Sequence, residues 1–310
     1  MRVTVMGAGG LGGYYGGLLA RAGHEVTFIA RGVHLEAIRR QGGLTVRAVD
    51  GEWFASAAAA EAPAGHPPDL ILFTVKSYDT ETAAELVRPA VGPETALLSL
   101  QNGVDNEETL ARRYGADRVL GGLVYILANI QAPGIVQQSA GPRAVTFGEW
   151  RGGMTDRVRH LEGVLTEAGW RVTATDDAVR EKWVKFAFIC AQAGMTALTR
   201  LPIGEIRAAP PTWEMFRQIV EEVVAVGRAR GVRLGPEVVD AHLKLARQLE
   251  ADATSSLHYD LTHGKRLESE ALHGTVVRYG REVAVPTPAC AAVYAALLPH
   301  DLRARARPPA

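Results

Sequence analysis

The sequence predicts an α/β domain built on a parallel sheet, followed by an all-helical domain. Three observations carry that prediction. Short β-branched runs alternate with helical stretches through the first half, the pattern of strands joined by crossover helices on both faces of a parallel sheet. A glycine-rich turn, "GAGGLGG", joins the first run to the first helix. From about Asp176 onward strands vanish and helical periods take over. The expected organisation is an N-terminal Rossmann-like dinucleotide-binding domain at residues 1–175 and an all-helical C-terminal domain at residues 176–310.

"RVTVMG" is the first strand, and a helix runs from about Leu11 to Arg21. "EVTFIA" is the second strand, with Leu35 to Arg40 on the next helix. Leu70–Val75 and Ala96–Leu100 are buried strands, with helices around Glu81–Val87 and Asn106–Tyr114. "RVLGGLVYI" adds a strand, "GIVQQSAG" and "AVTFGEW" two shorter ones, and Asp156–Ala168 an amphipathic helix. Ala55–Asp69 reads as a surface connection, because its prolines end any helix begun there. Further helices are expected at Asp177–Leu198, Thr212–Arg230, Pro236–Leu249, Arg266–Tyr279 and Pro288–Leu298. "LPIGEI", "RGVRLG" and "REVAVPTP" connect them, and "LRARARPPA" reads as a solvated, frayed tail.

The chain has 310 residues, 47% apolar and 22% charged, which is ordinary for a soluble two-domain protein. Net charge is zero, so nothing in it favours nucleic acid or an anionic membrane. No apolar run is long enough to span a bilayer, and the opening lacks the features of a signal peptide. A cytoplasmic protein is expected, with Cys190 and Cys290 as reduced core residues. No metal is expected: the thiols and the histidines, His258 and His263 included, lack ligand spacing. No GxSxG elbow supports a hydrolase.

The glycine turn has GxGxxG spacing at Gly7, Gly9 and Gly12, and it follows a strand and opens a helix. Gly7 permits the tight turn, Gly9 lets a pyrophosphate approach the backbone, and Gly12 lets helix and strand pack closely. With Ala8, Gly10 and Leu11 this loop presents free N–H groups at a helix N-terminus to the phosphates. An NAD-selective site places an acidic residue at the end of the second strand. Here that strand ends "FIARG", and Arg31 offers a fork of donors suited to a 2′-phosphate, so NADP is the expected cofactor. "TVKSYDT", with Lys76, and "SLQNGVDN", with Asn102, lie just past strand ends where such folds contact ligands.

"EKWVKFAFICAQAGMTAL" is a mostly apolar helix with Lys185 in its midst. A buried ammonium is costly unless paired, so Lys185 either reaches water or performs chemistry. The chain holds 29 arginines and 5 lysines, so the lysines at 76 and 185 stand out against a general use of arginine.

The ordered set of GxGxxG, Arg31, "VKSYDT", "QNG", "KWVKF" and "SSLHYDLTHGKRLE" resembles the ketopantoate reductase family, over nearly the whole chain. The resemblance implies a Rossmann domain and a helical domain with the active site in the cleft between them. It implies reduction of the 2-keto group of ketopantoate by NADPH, on the route to pantothenate. It also implies that Lys185 is the proton donor, that Asn102 contacts cofactor or substrate, and that Ser256 binds the substrate carboxylate. Glu268 then lies beside the lysine and the cofactor. The chain departs from the family where pantoate-making members carry three asparagines that hold the substrate hydroxyl. Those positions are Ile189, Ala193 and Ile203, an apolar wall in place of a polar one, with Gln192 and Thr196 nearby on the helix.

Three readings follow: a 2-dehydropantoate 2-reductase or close paralogue, a D-2-hydroxyacid dehydrogenase for a branched or aromatic substrate, and a non-catalytic NADP(H)-sensing protein. The expected partner is a small 2-oxo acid. The apolar helices of the second half suit either a homodimer or an internal core.

Overall fold

The structure, a computed structural model, describes residues 1–306. These fall into two compact units. The first comprises Met1–Gln101 and Asn106–Ala178; the second comprises Asn102–Asp105 and the chain from Val179 on.

The first unit holds β1 (Arg2–Met6), α1 (Gly10–Arg21), β2 (Glu25–Ile29), α2 (Gly32–Gln41), β3 (Gly43–Ala48), β4 (Gly51–Ser56) and β5 (Ala58–Ala60). It continues with β6 (Leu70–Phe73), α3 (Thr80–Val87), β7 (Ala96–Ser99), α4 (Asn106–Tyr114), β8 (Val119–Ala132), β9 (Ile135–Glu149), α5 (Asp156–Glu167) and β10 (Arg171–Ala174). One sheet runs β4-β3-β9-β8-β7-β6-β1-β2-β5, with β10 beside β9. From β8 to β5 all neighbours are parallel. The strands β6 and β7 are buried along their whole length, as strands covered on both faces must be, and this is why they read as unbroken apolar runs. β1 lies between β2 and β6, so the chain leaves it to one side and returns on the other. That reversal is the point where open α/β sheets bind ligands.

Four expectations for this unit are corrected. Ala55–Asp69 is not only a connection: it contains the end of β4 and all of β5. β3 was not anticipated; it pairs with β4 from Gly43↔Ser56 to Ala48↔Gly51. "GIVQQSAG" and "AVTFGEW" form one strand, β9, which pairs antiparallel with β8 across irregular register. Gly141 and Pro142 at their junction bend the strand without ending its pairing. β10, too, is an edge strand of four half-exposed residues with little pattern to betray it.

The second unit holds α6 (Ala178–Thr199), α7 (Ile203–Ala208), α8 (Pro210–Ala229), α9 (Glu237–Gln248) and α10 (Ser256–Thr262). A π-helical segment (Glu270–Gly274), α11 (Thr275–Glu282) and α12 (Pro288–Arg305) complete it. α6 is buried on nearly all sides, among Phe216, Ile219, Val223, Val276 and Val293, which explains its continuous apolar sequence. Both cysteines lie in this core, and burial pushes their thiols up. "LPIGEI" is helical rather than a connection: Pro202 sets the entry, and Ile203 and Ile206 bury one turn apart. α12 passes Pro299 and continues to Arg305, so the first four residues of the expected tail, Leu302–Arg305, are helix. Asp301 anchors that end, accepting from Leu267 N at 2.8 Å and from Arg305 Nε at 2.7 Å. Residues 307–310 lie outside the described part.

Candidate active site

In the first unit the glycine loop is built as its spacing requires. Gly7 has φ +105°, a left-handed conformation open to glycine. The N–H groups of Gly7 and Ala8 donate to Ile29 O at 3.2 and 3.1 Å, holding the turn against the end of β2. A Cβ on Gly12 would lie 2.1 Å from Gly7 O and 2.4 Å from Thr74 Oγ1, so only glycine packs there. A Cβ on Gly10 would collide with Ala128 O of β8 at 2.2 Å. At Gly9 nothing lies within 4 Å of the Cβ position, and no side chain caps α1. An open approach over uncapped helix N–H groups fits the pyrophosphate of a dinucleotide.

His34 is a part of this loop that sequence reasoning missed. It accepts from Gly134 N on Nδ1 at 3.1 Å, so Nε2 carries the proton and donates to Ala8 O at 2.9 Å. Burial pushes its pKa down, which keeps that neutral tautomer. A lone histidine on α2 gives no sequence signal of this role.

Arg31 stands just past β2, with its side chain 87% exposed and Nη2 3.2 Å from Asp79 Oδ2. Asp79 closes the short 3-10 turn Ser77–Asp79, which half-buried Lys76 opens at the end of β6. Buried Gln101 joins the ends of β6 and β7: its Nε2 donates to Val75 O at 3.1 Å and Thr80 Oγ1 at 2.7 Å. Thr80 donates onward to Asn106 Oδ1 at 2.8 Å.

In the second unit Lys185 is only 7% exposed, and its Nζ donates to Asn102 Oδ1 at 2.9 Å. Asn102 is presented by the turn at Gly103, whose φ is +97°. The loop is held by Val104 in the helical core and by Asp105, which accepts from Thr275 Oγ1 at 2.9 Å and Arg278 Nη2 at 2.8 Å. Burial pushes the Lys185 ammonium down to about 7; the Lys182 charge adds to this, and the Glu268 carboxylate opposes it. Lys182 is itself buried, one helical turn before Lys185. It was missed, although spacing of three on a predicted helix could have found it. Glu268 is buried too, and its carbonyl accepts from Leu272 N at the start of the π-helical segment.

Ser256 is exposed at the first position of α10. Its neighbour Ser255 caps that helix: Oγ accepts from His258 N at 3.1 Å and donates to Thr196 Oγ1 at 2.8 Å. Thr196 donates to Gln192 O at 2.7 Å, and Gln192 Nε2 donates to Thr254 O at 3.1 Å. These bonds tie α6 to the start of α10 and use the polarity that Gln192 and Thr196 could have offered elsewhere. Of the three apolar positions, Ile189 keeps some exposed surface and Ala193 almost none. Ile203 is fully enclosed in the core, which corrects the expected three-residue wall: entering α7, it packs inward with Ile206.

Fold and site define a dinucleotide-binding oxidoreductase. The chain belongs to the ketopantoate reductase PanE/ApbA family, whose N-terminal profile matches residues 3–152 and whose C-terminal profile matches residues 177–300. It is 34% identical to a 2-dehydropantoate 2-reductase of Archaeoglobus fulgidus, over 92% of each chain. A PanE/ApbA family ketopantoate reductase from Ralstonia eutropha JMP134 superposes with a TM-score of 0.89 at 35% identity, covering 98% of this chain and 99% of that one. The fold is shared with a D-mandelate dehydrogenase, solved with NADH and anilino(oxo)acetate, at a TM-score of 0.89 and 20% identity over 99% of this chain and 100% of that one.

Proposed function

We propose that this chain reduces a 2-oxo acid to a 2-hydroxy acid with NADPH, and that Lys185 gives the proton. The observation that carries the reading is the buried Lys185, held by Asn102 and lowered to about 7. Bound NADPH would supply the hydride to the keto carbon. The glycine loop and the N-terminus of α1 would hold its pyrophosphate, and Arg31 its 2′-phosphate. Reduction turns the keto oxygen into an alkoxide that needs a proton. An ammonium beside that oxygen polarises the carbonyl first and protonates it afterwards. A donor titrating near neutrality transfers its proton more readily than an ordinary lysine. Asn102 fixes the direction of Nζ, and Glu268 offsets part of the cost of burying the charge. Ser256, with an exposed hydroxyl, would take the substrate carboxylate.

The similarity to the Archaeoglobus 2-dehydropantoate 2-reductase makes ketopantoate the first substrate to test. Apolar Ile189 and Ala193 support a second reading, a dehydrogenase for 2-hydroxy acids with a branched or aromatic side chain. The test is oxidation of NADPH, followed at 340 nm, with a panel of 2-oxo acids. Turnover is expected, and Lys185→Ala should lower it by about 10²–10⁴ while NADPH still binds. Near-normal turnover by a stably folded variant would remove Lys185 from the chemistry. Tight NADPH binding without turnover on any 2-oxo acid would favour a sensing role instead.

A further inference from the structure

A cavity of about 750 Å³ opens in the first unit along the later turns of α1. Its lining on α1 begins at Tyr14, five residues beyond Gly9, and includes no residue of the glycine loop, so the two are distinct. Its volume suits a small organic molecule. Tyr14, Leu18 and Arg21 face it from one stripe of α1, Trp53 from β4, and Trp170 from the turn before β10. The rings run in series: Trp53 to Tyr14 at 5.9 Å, Tyr14 to Tyr15 at 5.1 Å, and Tyr15 to Trp170 at 4.4 Å. Trp53 is the partly exposed member of this row.

The charges are placed unevenly. Arg143 lies in the irregular part of β9 with φ +58°, a strained conformation for a side chain-bearing residue. The bend aims it at the cavity, where Nη1 pairs with Asp50 at 2.5 Å and its carbonyl accepts from Tyr15 Oη at 3.0 Å. Nε and Nη2 of Arg143 meet no protein acceptor among the described residues. Arg21 lies 5.3 Å from the Trp53 ring centre, and among the described residues it makes no salt bridge. Of the lining carboxylates, Asp50 is taken by Arg143 and Glu52 by Arg47, which leaves Glu167. Arg21, stacked over the partly exposed Trp53 ring, and Arg143 therefore line the cavity with spare donors, and Arg171, whose Nη1 donates to Pro142 O at 3.0 Å, is a third lining guanidinium.

We propose that this cavity is a second ligand site, one that takes a small aromatic carboxylate. The ring lies on Trp53, and the carboxylate is held between Arg21 and Arg143. A plain acid and an amino acid share this recognised chemistry, and the ammonium of the latter would meet Glu167. The whole chain, in the presence of saturating NADPH, is titrated by calorimetry with three probes that carry the same ring: indole-3-acetate, L-tryptophan and tryptamine. At least one of the two acids should bind with a dissociation constant of about 10 µM to 1 mM, and tryptamine more weakly. Binding of indole-3-acetate alone assigns a plain acid, and tighter binding of L-tryptophan assigns an amino acid. Arg21→Gln should weaken the acid about tenfold or more, Trp53→Ala should abolish binding, and Trp53→Phe should keep most of it. Reduction of 2-oxo acids should persist in all three variants. The proposal is overturned if neither acid binds, if tryptamine binds as tightly as the acids, or if Arg21→Gln binds like the unmodified chain. A repeat titration without NADPH should give the same affinity; binding seen only in its absence would place the probe in the dinucleotide site and overturn the proposal. Calorimetry reads binding directly, so these results do not depend on the identity of the proton donor.

Discussion

Lys185 combines two consequences of burial. In the reduction it must be protonated, so kcat/KM should fall as pH rises through about 7. Glu268 raises this pKa, so Glu268→Gln should move the fall to lower pH, read from a pH profile of kcat/KM. An unmoved profile would mean that the carboxylate does not act on the lysine. The same shift bears on stability. The folded pKa is about 7 and the ordinary value 10.5, so the folded state binds fewer protons than the unfolded state between them. Stability contributed by this group therefore rises from pH 7 to 10.5, and the cost of burial is fully felt below 7. Lys185→Met should therefore lack the rise in stability between pH 7 and 10.5, read from urea unfolding at the two pH values; a rise as large as in the unmodified chain would assign it to other groups. At the cofactor end, Arg31→Ala should weaken NADPH by roughly 1.5–3 kcal/mol and NADH much less. Equal losses would return Arg31 to the surface pairing it makes with Asp79, an exposed contact worth little. The places of Lys185 on its helix, Asn102 in the turn after β7 and Arg31 past β2 were legible because their motifs have fixed spacing. Lys182 was legible by helical spacing and overlooked. Ile203 was not, since whether an apolar side chain lines a cavity or a core depends on what folds over it.

Among the elements, the π-helical segment after Glu268 has no sequence signal: "EALHG" suits an α-helix as well. Its register brings His273 against α6, where Nε2 donates to Cys190 O at 2.8 Å and a Cβ on Gly194 would come within 2.4 Å of the ring. Nδ1 is buried with no hydrogen-bond partner among the described residues, and burial pushes the imidazole down to about 4. Between pH 4 and the ordinary 6.5 the unfolded state binds more protons, so stability is lost as pH falls through that window. His273→Met should be less stable than the unmodified chain at pH 7, by about 1–3 kcal/mol, because Cys190 O loses its donor. It should also lack this part of the acid sensitivity. Urea unfolding at pH 4.5 and pH 7 measures both; an equal slope in the two proteins would assign the acid loss to other groups.

For the molecule as a whole, the open matter is the substrate. A site built to hydrogen-bond a hydroxyl rejects analogues lacking it strongly, whereas an apolar wall discriminates by only about 10–200-fold. Ile189 and Ala193 stand where the resemblance expects asparagines, and Gln192 and Thr196 are committed to internal bonds. With NADPH, 2-oxoisovalerate, its 3,3-dimethyl homologue or phenylglyoxylate should therefore be reduced at least as efficiently as ketopantoate. The comparison is of kcat/KM. A preference for ketopantoate above about 10³-fold would exceed what an apolar surface delivers and would require a polar group elsewhere to hold the hydroxyl.

The sequence by itself determined the α/β and helical halves, the central strands and the glycine loop. Each of these follows from local periodicity or from a glycine that no other residue can replace, as at Gly12. The edge of the sheet was decided by tertiary structure. β5 and β10 are short and partly exposed, and β3, next to the edge strand β4, was overlooked; they are strands because neighbours offer them ladders of hydrogen bonds. Joining two short runs into β9 depended in the same way on its long pairing with β8. The most consequential decision concerned Asn102–Asp105, which leave β7 and group with the helical unit through Val104, Thr275 and Arg278. "QNG" announces a turn. Only packing against residues some 170 positions later brings Asn102 Oδ1 within 2.9 Å of Lys185 and gives a buried ammonium its partner.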